Sequence, residues 1–187
     1  ELQLALTADT APLVGKELTR RDRAAARTLG ERQRQIRERL AALRSSTEEL
    51  ADATMIEFAH QRLDDAAADA SARLAAGDAP GVVGRDQRTC VRVLQGLVTA
   101  LAEDKKPDDF REDQQGGGGG SQGGNAKQPL IAPIAELKLL RAMQAEAMEL
   151  TRELENATGE DLAPATRLQQ SLSEHAEALL KKLTEQN

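Results

Sequence analysis

The near-absence of aromatic residues constrains the fold of this chain more than any other feature. Only Phe58 and Phe110 are aromatic among 187 residues, so a core has to be built from Leu, Ile, Val, Ala and Met. Such residues fill narrow seams between helices better than wide interiors. No alternating apolar run is long enough to indicate a strand, and the abundance of Ala, Leu, Glu, Gln and Arg is typical of long helices. The sequence therefore predicts an all-α fold.

Apolar residues recur at spacings of three, four and seven in five stretches, the pattern of a seam along a helix. The first helix is predicted to begin at Thr10, as its cap, with Pro12 in its first turn, and to run to about Arg44. The second is predicted to end at Gly77, a left-handed stop. The predicted seams are Val14, Leu18, Ala25, Leu29, Ile36, Leu40 and Leu43; Ile56, Leu63 and Ala70 with His60, Ala67 and Leu74; Val83, Cys90 and Leu97 with Gln87, Leu94 and Leu101; Leu140, Ala147 and Leu154 with Met143 and Leu150; and Leu168, Leu172, Leu179 and Leu183. These seams predict elongated antiparallel hairpins in a bundle of about five helices.

A glycine-rich tract divides the chain. The stretch QQGGGGGSQGGN, residues 114–125, holds seven glycines within nine residues, and glycine-rich chain behaves as random coil. We therefore predict a three-helix coiled-coil-like segment at 1–106, a disordered linker at 107–128 and a two-helix hairpin at 129–187. The GGGGGS run contains a unit used in engineered fusions, whereas the neighbouring Gln, Asn and Lys residues favour a natural low-complexity tract. Both origins of the linker stay open.

Two segments beside the tract carry a resemblance. They are LAAGDAPGVVGRDQRTCVRVLQGLVTALAED before it and KQPLIAPIAELKLLRAMQAEAMELTREL after it. They resemble uncharacterised bacterial secreted or membrane-tethered helical and coiled-coil proteins, in which a Gly-rich linker precedes a PLIAPIAELKLL-type segment. The resemblance covers roughly Met55 to Glu155, and its motifs are packing motifs. It implies an envelope-associated location, no known activity and no functional residues.

Neither histidine nor the cysteine forms a recognisable reactive group with its neighbours. His60 lies in a predicted seam near Asp64, and sharing a proton with that carboxylate is the favoured interpretation over a metal site, because His175 is the only other histidine. Cys90 occupies a heptad row, where a thiol serves as a small apolar group. An intermolecular disulfide is the alternative role for this thiol. No catalytic residue, cofactor or metal site is predicted, and we expect the chain not to be an enzyme.

A row of arginines on the first predicted helix is the strongest candidate for binding an anionic partner. The row consists of Arg20, Arg23, Arg27 and Arg34. Such a face could contact nucleic-acid phosphates or an anionic surface. However, Glu31 and Glu38 lie on the same face and are predicted to neutralise it in part. No aromatic residues are interleaved for base stacking, so nucleic acid is the less favoured partner.

The sequence therefore favours a non-enzymatic helical scaffold or adaptor, and the arginine row gives the alternative. Two alanine-rich helices seldom hold together alone, so the hairpin at 129–187 is expected to dock on the first segment, to dimerise or to bind another protein. The partner-facing seam is predicted to be Leu140, Met143, Leu150 and Leu154. No run approaches the roughly 20 apolar residues of a membrane span. Because the chain opens ELQLAL without Met, we interpret it as a fragment or a processed form, and its compartment stays open.

Overall fold

A computed structural model describes residues 1–45, 53–102, 133–156 and 162–185, and every regular element in these ranges is an α-helix. The predicted all-α class is confirmed. The six helices are α1 Leu2–Thr10, α2 Arg20–Ser45, α3 Thr54–Ala76, α4 Gly81–Leu101, α5 Pro133–Glu155 and α6 Ala163–Glu185. The glycine-rich tract and the predicted boundaries at 106 and 128 lie outside the described residues.

The predicted first helix is wrong at its start, because residues 11–19 form turns and irregular backbone between α1 and α2. Thr10 is the last residue of α1, and its hydroxyl donates to the Leu6 carbonyl instead of capping a new helix. Helix α2 begins after Thr19, where Asp22 Oδ2 accepts from the Thr19 amide at 3.0 Å and the Asp22 amide donates to Thr19 Oγ1 at 3.2 Å. This reciprocal pair is a capping box, and the sequence already contained its signal. Gly15, with φ of 72°, lies in the intervening turn.

The α3–α4 hairpin forms the centre of the molecule. Helix α2 packs along α3, α1 packs against both α2 and α4, and α5 packs on α4 and α3 with α6 beside it. One buried cluster joins α1 and α2 to the end of α3 and the beginning of α4, and a larger one joins α3 and α4 to α5 and α6. The Gly77 stop at the end of α3 is confirmed by its φ of 86°.

The predicted seams of α3 to α6 are largely confirmed, whereas that of α2 is confirmed only in part. In α2 the buried residues are Ala26, Leu29, Gly30 and Gln33, while Ala25 is exposed and Leu43 is 58% exposed. Leu18, Ile36 and Leu40 of the predicted seam still pack against the buried clusters from partly buried positions. Leu101 of α4 is also exposed, and Leu94 and Leu140 are only partly buried.

Two glycines allow helices to approach closely on opposite sides of the central hairpin. A Cβ on Gly30 of α2 would lie 2.7 Å from the Ala75 nitrogen of α3. A Cβ on Gly96 of α4 would lie 3.0 Å from the Ala142 Cβ of α5. Both distances are at or below the limit for real contacts, so the glycines set how near α2 and α5 come to α3 and α4.

Candidate functional site

Among the described residues, polar side chains gather in two buried or half-buried clusters that involve α4. A third buried site is Glu136 of α5, which accepts from the Met55 amide at the start of α3 and pairs with Lys182 of α6. The amide cluster consists of Gln3, Thr10, Gln33 and Gln87, from α1, α2 and α4. The carboxylate cluster consists of Arg62 of α3, Arg88, Thr89 and Arg92 of α4, and Glu146 and Glu153 of α5. Buried polar groups are costly unless they are paired, so these clusters are the places where the fold departs from simple apolar packing.

The amide cluster is neutral and locks α1 onto α2 and α4. Gln3 and Gln33 exchange two hydrogen bonds, with Nε2 to Oε1 distances of 3.1 Å and 2.9 Å. Gln87 Nε2 donates to Gln33 Oε1 at 3.3 Å and to Thr10 Oγ1 at 3.2 Å. All four side chains are buried. Since each bond has a fixed donor and acceptor geometry, the cluster fixes the register of these helices.

Glu146 is the centre of the carboxylate cluster, and it is only 1% exposed. Its Oε1 accepts from Thr89 Oγ1 at 2.8 Å and from Arg62 Nη2 at 3.3 Å. Arg92 Nη2 lies 3.7 Å from the same oxygen. A buried carboxylate is therefore held between two arginines and a hydroxyl, all from the α3–α4 hairpin.

Glu153 continues the cluster one heptad further along α5. Arg88 donates to both of its oxygens at 3.1 Å, and Arg92 Nη1 donates at 3.2 Å. Burial alone would raise the Glu153 pKa, but the hydrogen bonds and charge of Arg88 and Arg92 lower it overall. Glu153 is therefore ionised at neutral pH and acts as a fixed negative charge on α5.

The carboxylate cluster is not fully satisfied. Within the described ranges, Arg62 Nε, Arg92 Nε and Glu146 Oε2 are buried atoms without a hydrogen-bond partner. Such atoms lose their hydration when α5 docks and regain it when α5 leaves. The attachment of α5 is thus specific in geometry but carries a desolvation cost.

Both clusters could have been suspected from sequence signals that the prediction did not use. Arg88 and Arg92 are four residues apart on α4, and Glu146 and Glu153 are seven apart on α5. Each pair therefore shares a helix face. Gln87 had been placed in a seam, where a polar residue needs a buried partner.

Two members of the predicted arginine row, Arg27 and Arg34, make contacts within the chain. All four side chains are exposed, but Arg34 pairs with Glu31 and with Glu38. Arg27 lies over the turn at the end of α3, with its guanidinium 3.3 Å from where a Gly77 Cβ would be. Part of the row thus serves local ion pairing and helix packing.

The predicted partner-facing seam faces the chain's own core. Met143, Leu150 and Leu154 are buried, and Leu140 packs against the same cluster from a partly buried position. The seam is covered by α3, α4 and α6. Docking was one of the three outcomes expected for this hairpin, and within the chain it is the one that occurs. The external role predicted for this seam is therefore corrected, since three of its four side chains are buried and Leu140 is partly buried against the same core.

The surroundings of His60 differ from the prediction, whereas those of Cys90 agree with it. Asp64 does not pair with His60, because Arg37 binds its carboxylate through two hydrogen bonds of 2.6 Å and 2.9 Å. Burial lowers the His60 pKa, and the charge of Arg44 lowers it further. Cys90 is fully buried in the core, where burial raises the pKa of its thiol to about 12.

Asp86, one turn before Cys90, is a half-buried carboxyl that the sequence did not single out. Its pKa is raised to about 6, chiefly by burial and then by the nearby Asp69, against the opposing charges of Arg85, Arg73 and Arg62. Its Oδ2 is buried without a hydrogen-bond partner. The group is therefore poised to change charge near neutral pH.

An apolar cleft of about 230 Å³ runs between α1 and α4. Leu4 is 51% exposed and Val98 is 70% exposed beside it. Its lining is Glu1, Gln3, Leu4, Val91, Leu94, Gln95, Val98 and Thr99.

No helix among the described residues has both the length and the apolar character needed to cross a bilayer. In the same ranges no group of three or more His, Cys, Asp or Glu side chains could hold a metal ion. No family model, curated protein or solved structure matches the chain.

Proposed function

We propose that this chain is a non-enzymatic helical scaffold or adaptor that mediates protein–protein interaction. The observation that supports the proposal is the way α5 is held. The α3–α4 hairpin presents arginines and a hydroxyl beside an apolar strip, and α5 presents two carboxylates beside leucines. Such a face selects a helix by the position of its charges as well as by its apolar fit.

The preferred partner is an amphipathic helix with two acidic residues seven positions apart. Glu146 and Glu153 have this spacing and meet Arg62, Arg88 and Arg92. Charges at fixed positions discriminate between partners more than they add affinity, because desolvation offsets much of the attraction. An adaptor that releases as well as binds its partner benefits from this balance.

The surroundings of Cys90 and His175 support the non-enzymatic part of this proposal. The Cys90 thiol stays protonated at neutral pH, since its pKa is about 12. The His175 ring stacks on Phe58 with centroids 4.4 Å apart, and its Nδ1 lies 2.7 Å from the Ser171 carbonyl oxygen. Among the described residues, the hydrogen-bond partners of these two groups are backbone carbonyls, of Leu63 for Cys90 and of Ser171 for His175.

The alternative function, binding of nucleic acid or an anionic surface through the arginine row, has weaker support. Arg34 already pairs with two glutamates, which leaves fewer charges for phosphates. A salt titration separates the two functions, because phosphate binding weakens steeply between low and physiological salt. Binding of an acidic helix depends mainly on seam packing and is expected to change far less.

A peptide of the α5 sequence, Pro133–Glu155, tests the adaptor proposal with the full chain as receptor. We expect the fluorescent peptide to bind by anisotropy. A matched peptide carrying Glu146→Arg and Glu153→Arg is expected to bind at least about tenfold more weakly, a difference of about 1.4 kcal/mol. Equal binding of the two peptides would contradict recognition of an acidic helix. So would binding of neither at peptide concentrations up to about millimolar, the local concentration at which the chain's own α5 competes.

The envelope-associated location implied by the resemblance is a separate part of the proposal. Fractionation of the source cells, with an antibody against the described helices, would test it. A signal confined to the cytoplasmic fraction would contradict it and would leave the adaptor function unaffected.

A further inference from the structure

We propose that the α5–α6 hairpin exchanges between two copies of this chain, so that α5 of one copy occupies the α3–α4 face of the other. The inference rests on the proposed adaptor function and names its first partner as a second copy. In the exchanged pair each carboxylate cluster is built from two chains, with arginines from one and glutamates from its partner.

The first argument is the length of the connection. Helices α4 and α5 are antiparallel neighbours, with Gly96 facing Ala142 and Arg88 facing Glu153. The end of α4 therefore lies near the beginning of α5, and antiparallel neighbours are usually joined by two to eight residues. Here 31 residues, 102–132, separate Leu101 from Pro133. A chain of that length can extend to about 100 Å, whereas α5 itself is about 35 Å long.

The second argument is that the α5 interface is made by side chains that any identical copy supplies. The carboxylate cluster depends on charge complementarity between the α3–α4 hairpin and α5. Exchange preserves every one of these contacts, so it changes only the entropy of association. The local concentration of a tethered segment is on the order of millimolar. Exchange between wild-type copies should therefore become appreciable when the protein concentration itself approaches millimolar.

The third argument concerns release. Arg62 Nε, Arg92 Nε and Glu146 Oε2 are buried without partners, and water satisfies them when α5 leaves. The barrier to opening is thereby lowered relative to a wholly apolar interface, because part of the lost contact energy is returned as hydration.

Complementary charge variants test the exchange directly. Arg88→Glu places a carboxylate against Glu153, and Glu153→Arg places a cation against Arg88 and Arg92, so each variant repels its own α5. When the two variants are mixed, position 88 of each copy meets a residue of opposite charge at position 153 of the other copy. We expect the mixture to form a heterodimer of twice 20.1 kDa by light scattering. Its dimer fraction should exceed that of either variant alone at least fivefold.

The chain carrying both changes is the matched control. Arg88→Glu with Glu153→Arg restores the pairing inside one copy, so it should remain monomeric wherever wild type does. Native mass spectrometry of mixed ¹⁴N and ¹⁵N wild-type protein near millimolar concentration gives a second measurement that does not depend on how the variants fold. Mixed-isotope dimers are expected there.

The outcomes separate this proposal from the adaptor function. A mixture of variants that stays monomeric, together with no mixed-isotope dimer of wild type, would overturn exchange. If the α5 peptide nevertheless binds the full chain, the adaptor function stands without exchange. If the peptide also fails to bind, both proposals fall.

Discussion

The amide cluster and the carboxylate cluster use opposite means to join helices to the same central hairpin. The amide cluster attaches α1 and α2 through neutral side chains with several hydrogen bonds among them, and one buried atom, Gln87 Oε1, lacks a partner. The carboxylate cluster attaches α5 through ions, and three of its buried atoms lack partners. Neutral pairs lose little when they are desolvated, whereas ions lose much. The first cluster therefore fixes permanent neighbours, and the second suits a neighbour that can be exchanged.

Among the residues of the two clusters, we expect the largest loss of stability when Glu146 is replaced. Replacing Glu146 by Ala leaves Arg62 and Arg92 without their buried partner, and we expect the free energy of unfolding to fall by about 3 kcal/mol. This is the lower end of the usual range, because both arginines keep some contact with solvent. Urea unfolding followed by circular dichroism measures it. Glu149→Ala removes a carboxylate that pairs with Arg152 at the surface of the same helix, and this control should cost under about 0.5 kcal/mol.

The amide cluster should respond to Gln33→Leu with a loss of about 2 kcal/mol, because Gln3 and Gln87 are then buried without their partner. The distinguishing property is salt. The loss should be the same in low and high salt, whereas the loss from Arg88→Ala at the exposed edge of the carboxylate cluster should shrink as salt screens the pair. Gln35→Leu on the exposed face of α2 is the control. A strong salt dependence for Gln33→Leu would contradict the neutral character of this cluster.

Asp86 predicts a pH dependence that belongs to neither cluster. Its folded pKa of about 6 lies above its ordinary value of 3.8. Its contribution to stability is therefore complete below about pH 4 and is lost as pH rises through about 6. At pH 7.5, Asp86→Asn should be more stable than wild type by about 1–2 kcal/mol after allowance for solvent screening at this half-buried site. At pH 3.5 the two should be alike, and a constant difference across this range would refute the prediction.

The smallest effect is expected at the outer edge of the carboxylate cluster. The Arg88 side chain is 49% exposed, so Arg88→Ala should cost about 0.5 kcal/mol even though it pairs with a carboxylate. A double-mutant cycle with Glu153→Ala measures the pair alone. A coupling energy as large as the effect at Glu146 would remove the distinction between the centre and the edge of the cluster.

The spacing of apolar residues was sufficient to predict the buried positions of most helices. The buried positions of α3 to α6 follow the predicted heptad rows, including Leu63, Val83, Met143 and Leu172. Helix α2 followed its predicted row only in part, since Leu29 is buried and Ile36 and Leu40 pack on the core, whereas Ala25 and Leu43 are exposed. Gln33, which no apolar pattern marks, became one of its buried residues.

The sequence by itself determined the all-α class, the seams of four helices and the stop at Gly77, since each follows from chemistry within a few residues. The tertiary structure alone decided which polar groups meet. Glu146 lies 84 residues from Arg62 in the chain, and Gln33 lies 54 residues from Gln87. A helical period specifies which side of a helix is apolar but not which helix will face it. The pairing of buried charges is therefore fixed only when the helices pack, because burial in that packing is what makes each polar group require a partner.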